Sequence, residues 1–191
     1  MAMNLPNKLT IARIVLTPIF LLVFTISSIP YHYLIALVLY FIASMTDYFD
    51  GKIARRDNII TNFGKFTDPL ADKMLTTAAF LGFMAMGYCN LWIVFIILFR
   101  EFLVSSIRLV ASAQGVVIPA NMWGKVKTAS MMLFTGFLMI LLTLQCDFGI
   151  LPEAFPMAIV SNVLFGINAV LTIISGITYV LDGAKIIDFS K

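Results

Sequence analysis

Six stretches of this sequence are largely apolar and each is about as long as a bilayer is thick, which leaves few folds open. They cover about 8–28, 31–55, 62–87, 91–113, 122–145 and 155–182. Pro30, the segment 87–90, Pro119 and Pro152 fall between them, where helix-ending residues belong. Pro18 lies inside the first stretch, a position that membrane helices tolerate. Of the 191 residues 61% are hydrophobic and 12% charged, too few charges to cover the exterior of a soluble domain. The expectation is an all-α, polytopic membrane protein: six transmembrane helices in one domain over 1–191, with a polar cavity open to the cytoplasm. The run 14–29 lacks a strongly basic lead-in and a small-x-small cleavage site, so it reads as a retained span. Cys89 and Cys146 show no metal-ligand spacing and read as buried apolar fillers.

The cations set the orientation. With six spans, Lys8, Arg13, Lys52, Arg55, Arg56, Lys65, Lys73, Arg108, Lys125, Lys127, Lys185 and Lys191 fall at or near one side. The opposite connections, near 29–31, 87–91 and 146–154, hold no Lys or Arg, only Asp147 and Glu153. The positive-inside rule places both termini in the cytoplasm and the chain in the cell membrane. Arg100 stands apart, roughly 13 Å of helix into the fourth span.

Five of the ten carboxylates, Asp47, Asp50, Asp57, Asp68 and Asp72, lie between 47 and 72. Asp47, Asp50 and Ala54 are spaced three and four apart at the end of the second span, so they share a helical face. Gly64, Asp68 and Asp72, each four apart, share a face at the start of the third. The link is short, so the two helices are expected to be antiparallel neighbours with their acidic faces meeting at the cytoplasmic edge. Four carboxylates converging in a low dielectric repel strongly and need neutralising. Hard divalent cations, one or two Mg²⁺ or Mn²⁺, suit carboxylate oxygens. Zinc of the N/S type does not fit, because the sole histidine, His32, reads as a loop residue at the opposite face. Gly51, Ala54 and Gly64 leave room beside the acids for a nucleotide or phosphate, although small residues also allow tight helix packing. A divalent-cation transporter is the rival from another class, since membrane carboxylates often line ion paths. It would call for a midplane site and internal symmetry, and this sequence shows no repeat.

The whole stretch reads Asp47-x2-Asp50-Gly51-x2-Ala54-Arg55-x8-Gly64-x3-Asp68-x3-Asp72 and resembles the signature of the CDP-alcohol phosphatidyltransferase family at every position. Eight fixed positions make a chance match on the order of 10⁻⁷ over this length. The resemblance implies two metal ions held by Asp47, Asp50, Asp68 and Asp72, with Asp72 also the general base. It implies that Gly51, Ala54, Arg55 and Gly64 border the CDP moiety of CDP-diacylglycerol, that CMP is released, and that the protein is a homodimer. No nucleic-acid partner is expected.

Three further segments resemble the bacterial branch whose acceptor is sn-glycerol 3-phosphate: 4–13, from Asn4 to Arg13; 100–108, from Arg100 to Arg108; and 124–128, from Gly124 to Thr128. Asn7 and Thr10 would help shape the nucleotide site, or cap a helix. Arg100, Arg108, Lys125 and Lys127 would form a basic pocket for the acceptor phosphate, for which the arginine fork is suited. The bland alternatives are an internal Glu101–Arg108 ion pair, the two lying seven apart on nearly one stripe, and lysines that only anchor the membrane edge. Inositol phosphate and serine are the nearest alternative acceptors.

Overall fold

The computed structural model describes residues 4–56, 62–116, 118 and 121–184; Asp57, Pro119, Lys185 and Lys191 lie outside the described residues. Six α-helices follow one another: α1 Leu5–Thr25, α2 His32–Arg56, α3 Asn62–Ala85, α4 Leu91–Ala113, α5 Met122–Leu142 and α6 Met157–Ala184. Every expected stretch is a helix, and among the described residues there is no strand. α5 widens into π-helical turns at Thr143–Asp147, and α1 runs through Pro18 without ending.

Among the described residues three segments are long and apolar enough to cross a membrane: Asn7–Thr25, Met122–Asp147 and Met157–Gly183. α4 is as long, but Arg100, Glu101 and Arg108 interrupt its apolar run. Among the described residues α2 and α3 also carry the shorter apolar segments His32–Thr46 and Lys73–Ala85.

The chain divides into two compact units, one holding the residues up to Met86 together with Thr135–Met157, the other Gly87–Phe134 and the residues from Ala158 onward. In the first unit α1 packs on both α2 and α3. Phe24 is the hub: its ring lies 5.7 Å from Tyr33 on α2 and 5.1 Å from Phe83 on α3. Gly82 makes this approach possible, since a Cβ there would collide with the Phe24 ring. The start of α2 is capped from far along the chain. The backbone N–H of Leu34 donates to Asp147 Oδ2 at 2.7 Å, placing a carboxylate at the positive end of the helix dipole. His32 is thus the first residue of a capped helix, its ring 4.0 Å from that of Tyr33, and not a loop residue.

In the second unit the start of α4 is tied to the start of α6. Asn90 caps α4 by accepting from Trp92 N–H at 2.9 Å, and its own N–H donates to Asn162 Oδ1 at 2.8 Å. Ser161 donates to the Tyr88 carbonyl. α4 ends in a left-handed Gly115 (φ 74°), with Val116 N–H reaching back to Ala111 O at 2.9 Å, the arrangement that glycine past a helix end provides. One cysteine departs from expectation. Cys89 is buried, but Cys146, in the π-helical turn at the end of α5, is exposed.

Candidate active site

In the first unit the buried stripe of α1 changes character along its length. Thr10, Arg13, Thr17, Phe20 and Phe24 recur at intervals of three and four and are all buried, so they form one face. That face is polar in the first turns and aromatic in the last.

Ring contacts give the helix directions. Phe20 lies 5.8 Å from Tyr40 and Phe24 5.7 Å from Tyr33, so α1 and α2 are antiparallel. α3 begins six positions after α2 ends and therefore returns alongside α1, with Phe83 at Phe24. At 1.5 Å per residue the backbones of Arg13 and Asp47 both lie about 10 Å beyond the Phe20–Tyr40 contact. Those of Arg13 and Asp72 both lie about 16 Å from the Phe24–Phe83 contact. Arg13, Asp47 and Asp72 are consequently at one level of the unit. Asp50 and Asp68 are within a turn of Thr10 by the same count.

α2 runs unbroken to Arg56, so Asp47, Asp50, Gly51, Ala54 and Arg55 occupy its final turns, and α3 carries Gly64, Asp68 and Asp72 in its first turns. The side chains of these eight positions lie outside the described residues. Asn7 is half-buried and Thr10 buried on α1. Sequence reasoning counted Arg13 as an orientation signal and as the end of the 4–13 segment, and gave it no place in the site. The residue is 1% exposed, and a guanidinium that deep requires compensating negative charge. Its three-and-four spacing from Thr10, Thr17, Phe20 and Phe24 puts it on one face with them, but only the packing shows that this face is the buried one.

In the second unit one carboxylate oxygen joins two of the four expected acceptor-site cations. Glu101 Oε1 accepts from Arg100 Nη1 at 2.9 Å and from Lys127 Nζ at 2.5 Å. Lys127 is 1% exposed. Arg100 Nη2 donates to Ser175 Oγ of α6 at 2.5 Å, and Asn168 Nδ2 donates to the Lys127 carbonyl at 3.1 Å. Asn121 Nδ2 donates to Thr178 Oγ1 at 2.7 Å and so fastens the start of α5 to α6. Arg108 is exposed and lies over the ring of Tyr179, 5.8 Å from its centroid, while Lys125 is exposed. The ion pair formed by Glu101 is therefore with Arg100 and Lys127, and Arg108 is engaged by an aromatic face. Ser175, Asn168 and Asn121 were not anticipated, since a lone polar residue on an apolar helix carries no sign of its partner.

The model of the CDP-alcohol phosphatidyltransferase family matches residues 3–174, which takes in the α2–α3 aspartates and most of both units. This chain belongs to that family. Among curated relatives of this phosphatidyltransferase, the CDP-diacylglycerol–glycerol-3-phosphate 3-phosphatidyltransferase of Bacillus subtilis is 46% identical over 136 residues, 65% of this chain and 70% of the relative. The protein of that name from Rickettsia bellii is 37% identical over 92% of this chain and 93% of its own length. A probable phosphatidylglycerophosphate synthase of Mycobacterium tuberculosis is 34% identical over 93% of this chain and 80% of its own.

Proposed function

We propose that this phosphatidyltransferase moves the phosphatidyl group of CDP-diacylglycerol to sn-glycerol 3-phosphate, giving phosphatidylglycerol phosphate and CMP. The observation that carries the reading is the complete aspartate signature on the end of α2 and the start of α3, in a chain whose relatives bear the name of this reaction. The family is in general divalent-metal dependent, and the donor set fits: four carboxylates on two contacting helices, with no cluster of His, Cys, Asp or Glu elsewhere among the described residues. Asp47, Asp50, Asp68 and Asp72 would hold two Mg²⁺ or Mn²⁺ ions, which would polarise the diphosphate and offset the charge of the leaving CMP.

The chain's own residues supply the rest. Asp72 takes the proton of the acceptor hydroxyl as its oxygen bonds to the β-phosphorus. The bond from that phosphorus to the bridging oxygen breaks, and CMP leaves with it. Gly51, Ala54, Arg55, Gly64, Asn7 and Thr10 border the CDP moiety. Arg100 and Lys127, with Arg108 and Lys125, take the phosphate of the acceptor, because paired cations discriminate for a dianion. The six helices form one domain that spans the cytoplasmic membrane six times, with both termini and a polar cavity on the cytoplasmic side. The protein acts as a homodimer.

The test is CMP release by purified protein given CDP-diacylglycerol and Mg²⁺, compared across acceptors. Release that depends on glycerol 3-phosphate supports the proposal. Release with inositol phosphate or serine instead would overturn the acceptor and leave the family chemistry standing.

A further inference from the structure

We propose that Glu101 is a positioning residue that presents Arg100 and Lys127 as one cradle for the phosphate of the acceptor. The inference rests on the acceptor reading above and names what makes those cations usable.

Two cations brought together in an apolar interior repel each other and lose hydration. Glu101 removes that obstacle with a single atom: Oε1 accepts from both Arg100 Nη1 and Lys127 Nζ. The trio keeps a net charge of one positive unit, so it still attracts an anion. Its donors are not exhausted. Arg100 Nε is buried and has no hydrogen-bond partner among the described residues, whereas Nη1 and Nη2 are taken by Glu101 and Ser175. An orphaned charged donor this deep is what a site for an absent anion leaves behind.

Space is cleared around the same side chain. A Cβ at Gly176 would lie 3.0 Å from Arg100 Cγ, and one at Gly124 would lie 3.8 Å from Nη2 and 3.0 Å from Asn121 Oδ1. α6 thus provides both a hydroxyl and a gap for one arginine. On the Lys127 side, Asn168 fixes the backbone by its bond to the Lys127 carbonyl and donates to Ser130 Oγ at 2.9 Å. Glu101 joins the two halves.

Purified enzyme in detergent with Mg²⁺ would be assayed for KM and kcat against glycerol 3-phosphate and against CDP-diacylglycerol. The variants are Glu101→Gln, Glu101→Asp, Arg100→Met, Lys127→Met and the double Glu101→Gln/Lys127→Met. Glu101→Gln is expected to raise KM for glycerol 3-phosphate about 10- to 100-fold, the range of one charged hydrogen-bonding contact, with far smaller changes in kcat and in KM for CDP-diacylglycerol. Glu101→Asp should recover part of the loss. The double variant should be no worse than Lys127→Met alone within about twofold, because without Lys127 there is no second cation to hold beside Arg100, which Ser175 still anchors. It also removes the buried lysine that Glu101→Gln would deprive of this carboxylate, so it decides the matter even if Glu101→Gln fails to fold. An unchanged acceptor KM in Glu101→Gln, where Lys127→Met raises it, would overturn the positioning role and keep the acceptor reading. Additive losses in the double variant, or both KM values rising together, would likewise overturn it. If Arg100→Met and Lys127→Met both leave the acceptor KM unchanged, the acceptor reading falls and this inference with it.

Discussion

At the scale of single residues, the two units handle charge in opposite ways. In the first, Arg13 stands level with Asp47 and Asp72 on helices rich in acid; in the second, Glu101 stands between Arg100 and Lys127. Glu101 makes two neighbouring cations tolerable in an apolar interior, and a cation buried as deeply as Arg13 calls for negative charge in the same way. Arg13→Met should therefore lower the stability of the protein by about 3–5 kcal/mol, the cost of leaving buried charge uncompensated. Thermal unfolding in detergent reads this out, and an unchanged melting temperature would sink the idea. Asp72→Asn should behave differently. It should reduce CMP release by about 10²- to 10⁴-fold, the contribution of a positioned general base, while helix content by circular dichroism is retained. The aspartate signature was legible because it is a pattern of fixed spacings along the chain. Arg13 was not, because its burial depends on which face of α1 meets α2 and α3.

At the scale of elements, helices are joined by polar contacts that no local pattern announces. α2 starts at a turn in which Tyr31 has φ 53°, and its cap comes from Asp147, 113 residues away from Leu34. Asp147→Ala should cost about 0.5–2 kcal/mol, the usual loss of a helix cap, and Asp147→Asn much less, since asparagine caps as well. Melting temperatures of the two variants would show it; equal losses would mean that the carboxylate charge acts elsewhere. The contact between α1 and α3 depends on a missing side chain. Gly82→Ala should destabilise by about 1–3 kcal/mol through overpacking against Phe24, again seen as a lower melting temperature. Helix existence and approximate ends were readable because apolar run length and breaks such as Pro30, the 87–90 segment and Pro152 are local features. The Asp147 cap was not, since it is made by a residue whose own surroundings look like an ordinary connecting loop.

At the scale of the whole molecule, membrane orientation and metal dependence can be tested together on intact cells and on purified enzyme. A membrane-impermeant maleimide should label Cys146 from outside, and a Lys125→Cys variant should be labelled at that new position only after the cells are opened. Cys89 should stay unlabelled in both cases: burial pushes its thiol up to about 12, so almost no thiolate exists at neutral pH. Labelling of Lys125→Cys in intact cells would reverse the proposed orientation. Removal of divalent cations with EDTA should abolish CMP release, and added Mg²⁺ or Mn²⁺ should restore it.

Sequence alone determined the helical class, the number of helices and the aspartate signature. Apolar run length, helix stops and residue spacing are properties of neighbours along the chain, and hydrogen bonding in an apolar medium leaves the backbone little choice. Tertiary structure decided which charges meet. It set Arg13 level with the acids, gave Glu101 to Arg100 and Lys127 in place of Arg108, and turned Arg108 to Tyr179. Charge pairing depends on distances of a few ångströms between helices far apart in sequence, and only packing fixes those.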